Sequence, residues 1–201
     1  NFGYQSPYIA EMTNLDWLLL DLLANRAGLP LHRFLGADRD WAAVYKGGGS
    51  VLLSDEALIQ DLQRFKDEGY QTTKFKIGGS GAGFSQDIRR LEKARRALGD
   101  DFGIAVDANQ AWDAKTAFAF AKEAAPFGVA WLEEPVHAYD MDALRELRDL
   151  LDNAGIVMEI AMGESVRSYH THVAYAQHGV DHLQPARLCC IAENMRVREY
   201  A

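Results

Sequence analysis

The feature that most constrains this chain is an alternation repeated six times: a short apolar run, then a longer amphipathic one. The spacing predicts strands over residues 42–46, 72–77, 103–107, 129–132, 156–162 and 182–184. Helices are expected over 54–68, 85–98, 114–125, 141–151, 167–177 and from about residue 191. The units recur at roughly 25 to 30 residues, the period of a β/α barrel. Six units cannot close a barrel of eight strands, so that fold implies about two further units, on the order of 60 residues, outside this sequence. An open, doubly wound sheet could use six strands and is the competing architecture. The expected class is therefore α/β, a (β/α)8 TIM-type barrel with about six units present. Upstream, Leu15, Leu18, Leu19, Leu22 and Leu23 recur at helical spacing and predict a helix over 13–27, stopped by Gly28 and Pro30.

Charge and apolar patterning exclude some functions. The 201 residues carry a net charge of -8, which argues against nucleic acid, because phosphate binding needs a basic face. The apolar runs are too short to span a bilayer, so no membrane partner is expected. No charged, apolar, small-residue pattern opens the chain, so no signal peptide is visible. Cys189 and Cys190 are adjacent, and neighbouring cysteines rarely pair, so a reduced, cytoplasmic protein is expected. The first residue is Asn1 rather than Met, which points to a missing upstream piece.

Barrel active sites lie at the C-terminal ends of the strands. The second strand ends Thr73-Lys74-Phe75-Lys76-Ile77. Alternation puts both lysines on one face and Phe75 with Ile77 on the other. In a barrel the apolar pair would pack under the helices and the lysines would point inward. Two inward ammonium groups call for anions or a substrate, and each would depress the other's pKa, which suits one of them to act as a base. The plainer alternative is a pair of solvated surface lysines. The third strand ends with Asp107 and Asn109 facing inward, the fourth with Trp131-Leu132-Glu133-Glu134-Pro135, and the fifth with Met162-Gly163-Glu164. Each carboxylate alone could be a helix cap or a surface acid. Three on successive strand ends would repel one another, and a hard divalent cation with oxygen ligands resolves that repulsion.

The runs Lys74-Phe75-Lys76, Val106-Asp107-Ala108-Asn109-Gln110, Trp131-Leu132-Glu133-Glu134-Pro135 and Met162-Gly163-Glu164-Ser165 resemble the enolase superfamily, closest to its mandelate racemase-like branch, which includes acid-sugar dehydratases. The segments Asp16-Trp17-Leu18-Leu19-Leu20-Asp21 and Ala27-Gly28-Leu29-Pro30-Leu31 resemble that family's helix leading into the barrel. The resemblance implies that residues 1–41 lead from a capping domain into the barrel and that 42–201 are a partial catalytic barrel. It implies Mg2+ on Asp107, Glu133 and Glu164, Lys76 as general base, Lys74 as its partner on the substrate carboxylate, and Asn109 as a polar residue beside the metal. It further implies a small carboxylate substrate and a homo-oligomer. Gly163 stands where muconate-cycloisomerase-like enzymes carry a ligating Asp, which favours the mandelate racemase-like branch. The expected activity is removal of the proton next to a carboxylate, with dehydration of an aldonate or aldarate leading. A racemase or epimerase of a 2-hydroxy acid, or a non-catalytic metal- or partner-binding fragment, are the alternatives.

One departure stands out. The branch places an Asp after a Gln-Pro-like pair to orient a His further on, forming a second acid/base. Here Gln184-Pro185 is followed by Ala186-Arg187. Either Lys76 acts alone, or a short stretch between Pro185 and Ala186 is absent; the second is expected, because the flanking residues still fit the family. Other signals carry less. The Gly47-Gly48-Gly49 and 78–83 glycine runs lack a P-loop ending and read as tight or mobile turns beside the site. His170 and His172 lie two apart on a predicted helix and face different ways, so the histidines are read as structural or exposed. Cys189-Cys190 replaces what is usually a Gly-Gly pair.

Overall fold

A computed structural model describes residues 6–79, 83–186 and 189–201. The middle of the second glycine run, Ser80 to Ala82, lies outside these residues, as do Arg187, Leu188 and Asn1. The chain divides into two compact units, residues 44–162 with 175–182, and residues 1–43 with 163–174 and 183–201.

The larger unit alternates strands and helices. Its strands are β1 (Lys46–Gly48), β2 (Thr72–Lys76), β3 (Gly103–Asp107), β4 (Val129–Glu133) and β5 (Ile160–Met162). β6 (His182–Leu183) begins in it and ends in the smaller unit. The helices between them are α3 (Asp55–Asp67), α4 (Ser85–Leu98), α5 (Ala114–Ala124) and α6 (Met141–Ala154), with a 3-10 turn at Ala125–Phe127. The strands form one sheet in the order β1-β2-β3-β4-β5-β6, and β1 to β5 pair in parallel. This order decides between the two expected architectures. A doubly wound sheet reverses direction at a switch point; here each strand adds to the same edge, as in a β/α barrel. The doubly wound alternative is therefore excluded.

Parallel strands are covered on both faces and read as continuous apolar runs. Ile104, Ala105 and Val106 of β3 are accordingly fully buried. The helices bury one stripe each: Leu58, Leu62 and Phe65 on α3, and Leu91, Ala94 and Leu98 on α4, at the i, i+3, i+4, i+7 spacing that faces a core. The starts of α3, α5 and α6 are set by side chains that accept an otherwise unmatched helical N–H. Ser54 Oγ accepts from Ala57 N at 3.1 Å, Asp113 from Thr116 N at 2.7 Å and Asp140 from Ala143 N at 2.9 Å.

Two strands differ from expectation by more than one residue. The first pairs over Lys46–Gly48 rather than 42–46, because its register is set by Thr73, Lys74 and Phe75 of β2; Val44 is left 70% exposed. The fifth is Ile160–Met162 rather than 156–162, and Val157 is 93% exposed.

The smaller unit contains α1 (Pro7–Arg26), α2 (Leu31–Phe34) and α8 (Ile191–Tyr200); α7 (Tyr169–Gln177) begins there and ends in the larger unit. α1 starts six residues before the expected Thr13, with proline at its first position, where the missing N–H costs nothing. Asp16 Oδ2 accepts from Ile191 N at 2.8 Å, placing a carboxylate at the N-terminus of α8. α7 begins at Tyr169 rather than 167, where the Tyr169 N–H donates to Glu193 Oε2 at 2.6 Å. Among the described residues no helix is long and apolar enough to cross a membrane.

Candidate metal centre and active site

β2 alternates as its sequence requires. Phe75 is fully buried on the α3 side, near Leu58 and the backbone of Gly49. Lys74 and Lys76 share the opposite face. The sheet register carries Lys76 onto Asp107 of β3 and Asp107 onto Glu133 of β4. One row across the strand ends thus holds a lysine and two carboxylates, with Lys74 one pleat below.

The carboxylates are buried, Asp107 at 0% and Glu133 at 1% exposure. Ligand oxygens of the two lie within 4.8 Å of each other. Lys74 Nζ donates to Asp107 Oδ2 at 3.0 Å and also to Glu133 Oε1. Lys76 Nζ donates to the same Asp107 Oδ2 at 2.5 Å. Asp107 Oδ1 accepts the Asn109 backbone N–H at 2.9 Å, and Glu133 Oε2 accepts the Trp131 indole N–H at 3.2 Å. Glu164, the third expected ligand, stands two residues beyond β5, the strand beside β4, in the segment Gly163–Ala174 that belongs to the smaller unit.

The electrostatics follow from this packing. Burial works against the charge of Lys74, but its bond to Glu133 and the charges of Asp107 and Glu133 outweigh it, so its pKa lies above that of ordinary lysine. The expected mutual depression of the lysine pair therefore does not hold for Lys74, whose pKa is governed by burial and the two carboxylates. Burial likewise works to raise Asp107, and the Lys76 hydrogen bond, with Lys74 and the Asn109 N–H, brings it below the carboxylate range.

Among the described residues, three outside the strands adopt the left-handed backbone that non-glycine residues rarely take: Asn109 (φ 44°), Gln110 (φ 64°) and Glu134 (φ 41°). Glu134 directly follows Glu133, and Asn109 and Gln110 stand two and three residues after Asp107. The turns brace each other, since Gln110 Nε2 donates to Glu134 Oε2 at 3.1 Å, and Gln110 Oε1 accepts from Ala138 N at 2.9 Å. Such strain persists only where surrounding bonds hold it.

A cavity of about 820 Å³ opens beside this row, lined by Lys74, Lys76, Asn109 and the Gly47–Gly49 and Gly78–Gly79 turns. Its walls are tied by two residues of α4. Arg90, 1% exposed, donates through Nη2 to Ser50 O at 2.8 Å. Asp87, 3% exposed, accepts from Gly78 N at 3.0 Å. The sequence reading missed both, as it missed the Trp131 and Gln110 contacts. Arg90 was traceable: with Asp87, Leu91, Ala94 and Leu98 it falls on the buried stripe of α4, where an arginine needs partners.

The histidines make contacts of their own. His182 meets Glu159 at 2.5 Å and His178 meets Arg145 at 2.7 Å, with His178 half-buried and the other three exposed. Buried His172 Nδ1 meets Ser168 O at 2.9 Å in the smaller unit. Asp107 and Glu133 therefore offer the hard oxygens a divalent cation takes. Bridging them with an ammonium group shows that a positive charge is accommodated between them.

Comparisons with known proteins agree with this arrangement. Residues 57–201 match the enolase C-terminal domain-like family. The L-talarate/galactarate dehydratase of Salmonella typhimurium is 36% identical over 171 residues, 85% of this chain and 41% of that protein. The crystal structure of the same enzyme liganded with Mg and L-lyxarohydroxamate superposes with a TM-score of 0.79 at 34% identity, covering 90% of this chain and 46% of that one. A racemase from Streptomyces coelicolor with bound magnesium superposes with a TM-score of 0.87 at 26% identity, over 96% of this chain and 53% of that one. The chain spans about half the length of these relatives. With the matched family, the strand order and the carboxylate–lysine row in agreement, the chain belongs to the enolase superfamily, in its mandelate racemase-like branch.

Proposed function

We propose that this chain carries the metal- and base-bearing part of an acid-sugar dehydratase that acts on an aldonate or aldarate. The observation that carries the reading is the row Lys76–Asp107–Glu133 with Lys74 bridging the two carboxylates. The donor set fits Mg2+: Asp107 and Glu133 supply buried anionic oxygens from neighbouring strands, and Glu164 follows the next strand. When bound, Mg2+ supplies positive charge that offsets the charge developing on a substrate carboxylate.

The chain's own residues do the rest. Lys74 and Lys76 leave the carboxylates and face the cavity. Lys74 holds one oxygen of the substrate carboxylate. Lys76, nearer the strand's C-terminal end, takes the proton from the adjacent carbon. The Asn109 side chain orients the substrate beside the metal. Lys76, now protonated, gives that proton to the β-hydroxyl. The C–O bond breaks, water leaves, and the electron pair left by the α-proton forms the carbon–carbon double bond of the enol, which becomes the 2-keto-3-deoxy acid. Dehydration is favoured over racemisation by the dehydratase of Salmonella typhimurium, which matches at higher identity than the racemase from Streptomyces coelicolor.

The test is proton NMR in D2O with Mg2+ and a panel of aldonates and aldarates, galactarate included. Exchange at the α-carbon together with a 2-keto-3-deoxy product supports the reading, and both should vanish in Lys76→Ala. Exchange with inversion and no loss of hydroxyl would identify an epimerase instead. No exchange with any acid sugar would remove the assignment.

A further inference from the structure

Each carboxylate in the row has its two oxygens in different states. Asp107 turns Oδ2 to the lysines, while Oδ1 is held by the Asn109 backbone N–H. Glu133 turns Oε1 to Lys74, while Oε2 is held by the indole N–H of Trp131, two residues earlier on the same face of β4. The indole is itself fixed. Tyr45 meets it edge-on at 5.1 Å and 71°, and His182 at 5.9 Å and 55°. An indole N–H is a donor only and cannot become a ligand.

We propose that Trp131 is a positioning residue that restricts Glu133 to ligation through one oxygen, and so biases the site toward Mg2+ over Ca2+. This rests on the metal centre proposed above. Mg2+ takes six ligands in tight octahedral geometry, whereas Ca2+ takes six to eight and often engages a carboxylate through both oxygens. With Oε2 accepting from Trp131 and Oδ1 from Asn109, bidentate ligation by either carboxylate competes with a hydrogen bond already made and with the orientation that bond imposes. The larger ion gives up its extra ligands here; the smaller one loses nothing. The donor to Asp107 is backbone and survives substitution, so Trp131 is the place where the bias can be removed.

The experiment titrates the protein with Mg2+ and Ca2+ separately by calorimetry, using the metals alone. Three variants are compared with wild type: Trp131→Phe, the same site carrying 3-benzothienylalanine, and Glu133→Gln. Benzothienylalanine keeps the bicyclic shape and lacks the N–H, so it separates the hydrogen bond from packing and serves if the Phe variant folds poorly. Loss of an outer partner of a ligand typically weakens metal binding about 10-fold or more, so the Kd for Mg2+ should rise by about that factor in both Trp131 variants. Ca2+ should weaken less or tighten, so the ratio of the Ca2+ to the Mg2+ Kd should fall by roughly 5-fold or more. A merely structural role would shift both metals alike. An unchanged ratio in the benzothienylalanine protein, with Glu133→Gln still weakening Mg2+, overturns this inference alone. Unchanged Mg2+ binding in Glu133→Gln overturns the metal centre and this inference with it.

Discussion

Lys74→Met removes the cation that bridges two buried carboxylates and keeps most of the side chain's volume. The Lys74 side chain is 11% exposed, and those of Asp107 and Glu133 are 0% and 1%. Removing one partner of a buried ion pair costs about 3–5 kcal/mol, because the other charge is left behind. Lys76 still reaches Asp107 Oδ2, and Trp131 still reaches Glu133 Oε2, so the cost falls at the lower end, about 3 kcal/mol. For a chain of this size that lowers the unfolding midpoint by roughly 6–12 °C. A divalent cation supplies the charge that was lost, and at a concentration about 1,000 times its Kd it returns about 4 kcal/mol. Thermal unfolding in EDTA and in saturating Mg2+ reads both effects. The variant should be clearly less stable than wild type in EDTA, and Mg2+ should close most of the gap. Equal midpoints in EDTA, or a gap that Mg2+ leaves untouched, would refute the idea that Lys74 holds the place of a cation.

Further outcomes follow from single contacts. Gly163 has φ +138°, and a Cβ there would lie 2.8 Å from His172 Nε2 and 2.9 Å from Gln184 N and O. Gly163→Ala should therefore cost about 2–3 kcal/mol in urea unfolding and weaken Mg2+ binding through the adjacent Glu164. Arg90→Met should lower stability by about 3 kcal/mol, since it strips a buried cation from beside Asp87, and should raise KM more than it lowers kcat by loosening the cavity wall. Burial pushes His172 below the ordinary histidine value, against the opposing hydrogen bond to Ser168. Its folded pKa lies below its unfolded one, so the unfolded chain binds more protons as pH falls below about 6.5, and stability is lost there. The urea midpoint should drop between pH 7.5 and 5.5 in wild type, and less in His172→Gln.

Much of the sheet and of the candidate site was legible because the chemistry is carried by alternation on a strand. Lys74 and Lys76, or Asp107 at the end of an apolar β3, announce their face without knowledge of neighbours. Strand ends set by a neighbour were not legible. Residues 42–45 look like a strand by composition, yet pairing with β2 selects Lys46–Gly48, whose glycines have no strand propensity. At 156–157 the apolar pair precedes the pairing, and only contact with β4 fixes β5 at Ile160–Met162. The left-handed backbone at Asn109 and Glu134 depends on bonds across two loops, which no local pattern encodes. α4 is so rich in Arg and Lys that Arg90 is hidden by its neighbours, although its place on the stripe with Leu91 and Ala94 marks it for burial. The leucines of α1 show the reverse: the helical period was correctly read, but Leu15, Leu18 and Leu19 are exposed by 58%, 66% and 58%, because periodicity gives a face and not what covers it.

The most direct test of the central claim is a crystal structure of the protein grown in Mg2+. The account predicts one ion with oxygens of Asp107, Glu133 and Glu164 at about 2.0–2.1 Å, and the ammonium groups of Lys74 and Lys76 moved off the carboxylates toward the cavity. Lys74 still bridging Asp107 and Glu133 at saturating Mg2+, with the ion bound elsewhere or nowhere, would contradict it.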